Sequence, residues 1–225
     1  GTDHPKIHQI GLVKIIVAGC SHIRCRRMNT CKDHDTKGHN KKDREKEQMT
    51  GRISAMSRDA FRTEKDSIGV KSVPEDVYYG VQSLRAAENF HITGLNMHPE
   101  IINSLAYIKK AAAITNCEVG LLDKRVAQAI VQACDEILSG KLREDFIVDP
   151  IQGGAGTSYN MNANEVIANR ANEILGGGLG EYNFVHPNDH VNYGQSTNDV
   201  IPTTGKLTIL RLMQGLRKEL VRLYD

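Results

Sequence analysis

Residues 186–199 read HPNDHVNYGQSTND and contain no lysine, arginine, cysteine or glutamate. They crowd His186, Asn188, Asp189, His190, Asn192, Gln195, Ser196, Thr197 and Asn198 into one short stretch. A second polar run, QGGAGTSYNMNANE at 152–165, carries Thr157, Ser158, Asn160 and Asn162 behind three glycines. Each run leads into a stretch with helical spacing. A helix N-terminus presents backbone N–H groups without intrahelical partners and the positive end of the helix dipole. Hydroxyl and amide donors added there make a site that holds carboxylates without a full counter-charge. Ordinary N-capping by Ser, Thr, Asn and Asp explains one such cluster. Two clusters, both rich in Asn and both beside glycines, point further, to a small-anion site of the kind a dicarboxylate fills. The glycines are not a nucleotide loop: no Gly-Lys-Ser/Thr follows, and Tyr159 stands where a dinucleotide fingerprint needs its third glycine.

Helices must position these donors. Apolar residues at 101, 102, 105, 108, 112 and 114 recur at helical spacing, with Pro99 near the start and Gly120 past the end. The pattern repeats at 126, 130, 134, 137 and 138, with Asp123 placed to cap and Gly140 to terminate. A third helix is predicted across NANEVIANRANEIL (162–175), closed by Gly176, Gly177 and Gly178. A fourth is predicted after Pro202, with apolar residues at 209, 212, 216, 220 and 223 forming a narrow seam suited to packing between long helices. That helix shows no stop signal at Asp225, so the sequence reads as cut off there.

The totals narrow the function. Of 225 residues, 40% are hydrophobic, 25% charged and only 5% aromatic, with no Trp. This is ordinary soluble-globular composition, and it lacks the aromatics of a base-stacking nucleic-acid platform. No apolar run is long enough to cross a membrane. The net charge of +2 splits into +5 for residues 1–48 and −3 for the rest, so the body carries no basic footprint for nucleic acid.

Residues 1–48 show no sustained period and read as a disordered or adventitious basic leader. Cys25, Cys31, His34 and His39 lie there, but their spacing matches no zinc motif. Met49 and Met56 are plausible natural starts. Cys117 and Cys134 fall inside helical patterns, and an odd cysteine total without framework spacing fits a reducing cytoplasm.

The runs GGAGTSYNMNANEVIANRA and HPNDHVNYGQSTNDVIPT closely resemble the first two signature regions of the aspartase/fumarase superfamily. PEDVYYGVQSLRAAENF (74–90) resembles its N-terminal region, and the likeness runs from about Phe61 to Asp225. Within the superfamily NDHVN, with His190, is most similar to the aspartate ammonia-lyases; class II fumarases tend to carry a second Asp there.

The resemblance implies a mainly α fold. A helical N-terminal domain (49–195) would lead into the start of a long-helix bundle (196–225) that assembles as a homotetramer. It implies reversible elimination of ammonia from L-aspartate to fumarate through an aci-carboxylate, with no required cofactor, though Mg2+ activates some members. Thr157, Ser196, Thr197 and Asn198 match substrate-binding positions, and Asn162 is a further candidate for the pocket. His186, Asn188 and Asp189 match a secondary dicarboxylate site. Histidine as a residue type titrates near neutrality, which makes His186 and His190 tempting as bases, but the family places its base on a third signature, a mobile GSSxMPxKxNP loop. That loop and the Thr-His pair after the second signature are absent from these 225 residues. The chain is therefore expected to be an N-terminal fragment, catalytically incompetent alone, poorly assembled and prone to aggregate through its bundle seam. A class II fumarase is the alternative enzyme. A binding module using the Cys/His leader to hold zinc or nucleic acid is the alternative of another class.

Overall fold

The computed structural model describes residues 60–224. The leader and its Cys and His residues lie outside the described residues. The fold is mainly α, as the sequence predicts, with one small hairpin ahead of the helices.

The hairpin pairs β1 (Phe61–Lys65) antiparallel with β2 (Val70–Pro74). Asp66 closes its turn by accepting from the backbone N–H of Ile68 and Gly69. Hydrophobic alternation does not announce these strands. Val73 is buried, but the inward residue of β1 is Glu64. Its carboxylate binds Arg62, whose guanidinium also donates to the carbonyls of Pro74, Val77 and Tyr79. The hairpin thus clamps the chain that enters α1 (Val81–Asn89). At that entry Glu165 accepts from the backbone N–H groups of Gly80, Gln82 and Ser83 and from the Ser83 hydroxyl.

Helix α2 (Pro99–Glu118) begins with Pro99 at its first position, where no N–H is required, and His98 Nδ1 accepts from Glu100 N. Helix α3 (Lys124–Leu138) is capped as predicted by Asp123, which accepts from Arg125 N at 2.8 Å and Val126 N at 3.3 Å. Gly120 and Gly140 follow the two helices in left-handed conformations that a side chain disfavours. Helix α4 (Thr157–Ile174) and helix α5 (Thr197–Tyr224) both start earlier than the apolar periodicity indicates. α4 takes in the polar run from Thr157. α5 begins ahead of Pro202, correcting the expected start after it, because the Ser196 hydroxyl and carbonyl supply the cap. Pro202 then sits in the second turn and leaves the Asn198 carbonyl without its usual helical donor.

Helices α2, α3 and α4 share the core, where Leu105, Ile108, Ile130, Ile137, Val166 and Ile167 are buried. Burying each such side chain stabilises the fold by about 1.5–3 kcal/mol before entropy is counted. The first half of α5 docks on α2: Thr208 donates to the Ser104 hydroxyl at 2.8 Å, and Arg211 pairs with Glu100 at 2.6 Å. Past that point the predicted seam is on the surface, with Leu212, Leu216, Leu220 and Leu223 all exposed.

Candidate functional site

The two polar runs meet where α4 and α5 begin. Ala155 and Gly156 are left-handed, turning the glycine loop so that Thr157 opens α4. The Thr157 hydroxyl donates to the Gly154 carbonyl at 2.6 Å, and the residue stays exposed. Gly156 lies against Ile201 of α5 so closely that an added Cβ would come within 2.8 Å of the Ile201 side chain. Close backbone approach therefore brings the two N-terminal turns together.

One turn into α4, Asn160 is buried and its amide donates to the Thr197 hydroxyl at 3.2 Å and to Asn192 Oδ1 at 3.1 Å. Ser196 and Asn198 flank Thr197 and are exposed. The structure thus gathers Thr157, Ser196, Thr197 and Asn198 at two abutting helix N-termini. Asn162 goes elsewhere: it is wholly buried and donates to the Asp145 carbonyl at 2.9 Å. Two residues along a helix turn a side chain by about 200°, so Asn160 and Asn162 cannot face the same way. Asn160, not Asn162, is the asparagine of α4 that joins the second run.

Asn188 and Asp189 lie on a single π-type turn, Pro187–Val191, and His186 immediately precedes it. His186 Nδ1 caps it, accepting from Asn188 N and Asp189 N, while Asn188 and Asp189 point to solvent. His190 Nδ1 accepts from His186 N at 2.8 Å, and burial lowers its basicity. His190 Nδ1 is therefore occupied as an acceptor within the turn, and His186 Nδ1 also lies 3.1 Å from the Asp189 carboxylate. Buried Asn172 sets the approach to this turn, accepting from Phe184 N and Val185 N and donating to the Val185 carbonyl. On the other side, Asp149 braces the loop before the glycines by accepting from Thr93 N, Gly94 N and Ile151 N. Burial alone would raise its carboxyl; those hydrogen bonds outweigh it and hold it at about 2.

Sequence reasoning missed Lys109. It is fully buried on α2, and its ammonium donates to Asn192 Oδ1 at 2.8 Å and Gln195 Oε1 at 3.0 Å. Neither partner is a carboxylate. The signal was available: with Ile102, Leu105 and Ala112, position 109 falls on the apolar stripe of the helix, where a lysine is out of place. Burial depresses the ammonium to about 7, against an opposing pull from Cys134.

Among the described residues no group of three His, Cys, Asp or Glu side chains is placed to hold a metal ion. Among them, too, no helix is long and apolar enough to cross a membrane.

Residues 69–225 match a family described as Lyase. The chain is 59% identical over 155 residues to an aspartate ammonia-lyase of a Bacillus species, which covers 69% of this chain and 33% of that protein. It is 55% identical over 148 residues to a class II fumarate hydratase of Halobacterium salinarum, covering 66% of this chain and 31% of that one. A Brucella melitensis crystal structure described as fumarate lyase:delta crystallin superposes with a TM-score of 0.71 at 49% identity, covering 73% of this chain and 39% of that one. The chain spans about a third of the length of the curated relatives it matches. Residues 69–225 and these relatives place the chain in the aspartase/fumarase family of lyases.

Proposed function

We propose that this chain carries part of the dicarboxylate site of an aspartate ammonia-lyase, which reversibly eliminates ammonia from L-aspartate to give fumarate. The observation that carries the reading is the convergence of Thr157 with Ser196, Thr197 and Asn198 at two abutting helix N-termini. Loss of a Cβ proton puts extra negative charge on a carboxylate, giving an aci-carboxylate. Neutral donors fixed in place by helix geometry gain most from that developing charge, so they favour the intermediate over the substrate. The 59% identity to an aspartate ammonia-lyase supports ammonia as the leaving group. The 55% identity to a class II fumarate hydratase keeps a malate-forming enzyme as the second reading.

His186, Asn188 and Asp189 form the proposed secondary dicarboxylate site. The two proximal histidines serve the turn through Nδ1, and the general base is assigned to a third signature outside these residues. The isolated chain is accordingly proposed to bind fumarate and to be catalytically silent. In the whole enzyme the apolar side of α5 is proposed to be covered in a homotetramer.

Amide NMR of the chain titrated with fumarate tests the site, with shifts expected at Thr157, Ser196, Thr197 and Asn198. Unmoved resonances there would overturn it. Incubation with L-aspartate and with L-malate, followed by the ultraviolet absorbance of fumarate, tests the chemistry. Turnover of either would refute catalytic silence, and turnover of malate alone would move the assignment to the hydratase.

A further inference from the structure

The residues gathered at the two helix N-termini carry no positive charge, yet a buried cation stands directly behind them. Lys109 reaches the site through a short chain of hydrogen bonds. Its ammonium donates to Asn192 and Gln195; Asn192 Oδ1 also accepts from Asn160, and Asn160 donates to Thr197. Gln195 is in turn held by the Val191 carbonyl at 2.8 Å, and Asn192 donates to the Gln195 carbonyl at 3.2 Å. The segment that presents Ser196, Thr197 and Asn198 is thus fastened to the middle of α2 by one amino group.

Taking an ammonium out of water costs several kcal/mol unless a counter-charge offsets it. The groups facing this one are the two amide oxygens from the turn and Cys134 from α3. A methionine of similar length would fill the space without that penalty. Among the described residues, a charge kept buried beside neutral amides lacks its natural partner. An anion lying across the helix N-termini would be that partner, acting through a poorly screened interior.

We propose that Lys109 is a positioning residue of the dicarboxylate site, a buried cation that fixes the Asn192–Gln195 turn and supplies a positive field to the neutral donors in front of it. This rests on the dicarboxylate reading above. A dianion feels the field twice as strongly as a monoanion, whereas a merely structural brace treats the two alike.

The test is calorimetric titration of the full chain and its Lys109→Met and Lys109→Gln variants with fumarate and with fumaric monoamide. Both variants should bind fumarate on the order of tenfold more weakly, from Coulomb's law at an effective dielectric near 20, and lose much less affinity for the monoamide. Lys109→Gln keeps a donor for the turn, so it preserves the fold if Lys109→Met does not. In the unsubstituted chain, the 13Cε resonance of Lys109 should titrate at higher pH once fumarate is bound. An unchanged fumarate-to-monoamide ratio, or an unmoved titration, overturns the role of Lys109 while leaving the site reading intact. Fumarate that fails to bind the unsubstituted chain overturns the site reading itself.

Discussion

The Asn160 amide spans the start of two long helices, donating from α4 to the Thr197 hydroxyl at the first residue of α5. Its second hydrogen, on Asn192 Oδ1, ties the same point to the turn that Lys109 holds. Asn160→Ala removes both bonds but leaves Lys109 on Asn192. We expect a stability loss of about 1–2 kcal/mol, the range for a buried hydrogen-bonding group. Fumarate binding should weaken more than thermal stability does, because Thr197 loses its only amide tether from α4. Calorimetric titration alongside a thermal melt separates the two effects.

Gly156 makes a sharper demand on the chain. Its φ is +87°, and a Cβ there would meet the Ile201 side chain at 2.8 Å. Gly156→Ala therefore suffers both backbone strain and a steric clash, together about 2–3 kcal/mol. Adding Ile201→Ala should recover the steric share and leave the strain. A double-mutant cycle from urea denaturation, with a coupling term near zero, would contradict the close approach of the two helix starts.

Stability should climb between pH 7 and 9. In the unfolded chain Lys109 stays charged up to its ordinary 10.5, whereas folded it loses its proton at about 7. The folded state therefore binds fewer protons in that interval, so stability rises with pH and is lost as pH falls through 7. Burial pushes the Cys134 thiol from 9.0 up to about 12, which acts in the opposite sense only above pH 9. His190, lowered from its ordinary 6.5 by burial, acts in the same sense as Lys109, but chiefly below pH 7. Denaturant unfolding should show a gain on the order of 2 kcal/mol from pH 7 to 9. Lys109→Met should flatten that profile; an equally steep one would assign the change to another group.

The far half of α5 carries Leu212, Leu216, Leu220 and Leu223 in solvent. An exposed apolar stripe of that length seeks a partner surface. Sedimentation of the isolated chain should show polydisperse self-association. Leu216→Lys combined with Leu220→Lys should reduce it to one small species with unchanged helicity. A single small species before substitution would remove the stripe from any role in assembly.

Much of this architecture was written locally. The apolar periods at 101–114 and 126–138 located α2 and α3, and Asp123 capped where a short acidic side chain before an apolar run should. α4 and α5 began earlier than their periods because the left-handed turn at Ala155 and Gly156 sets the start of one and the Ser196 cap the start of the other, and neither supplies an apolar signal. The hairpin escaped notice since a buried Glu64 occupies the place where alternation expects an apolar residue. Its burial makes sense only with Arg62 and the Val81 N–H in place.

The sequence by itself determined which polar side chains stand at the helix N-termini, because capping and glycine conformation depend on residues within a few positions of one another. Which of those side chains meet was decided only by tertiary structure. Asn160 and Asn162 are equally polar and two positions apart, yet the packing of α4 against its neighbours sends one to Thr197 and the other to the Asp145 carbonyl. Lys109 shows the same division: its type is local, but its meaning comes from Asn192 and Gln195, more than eighty positions away, which folding brings within hydrogen-bond reach.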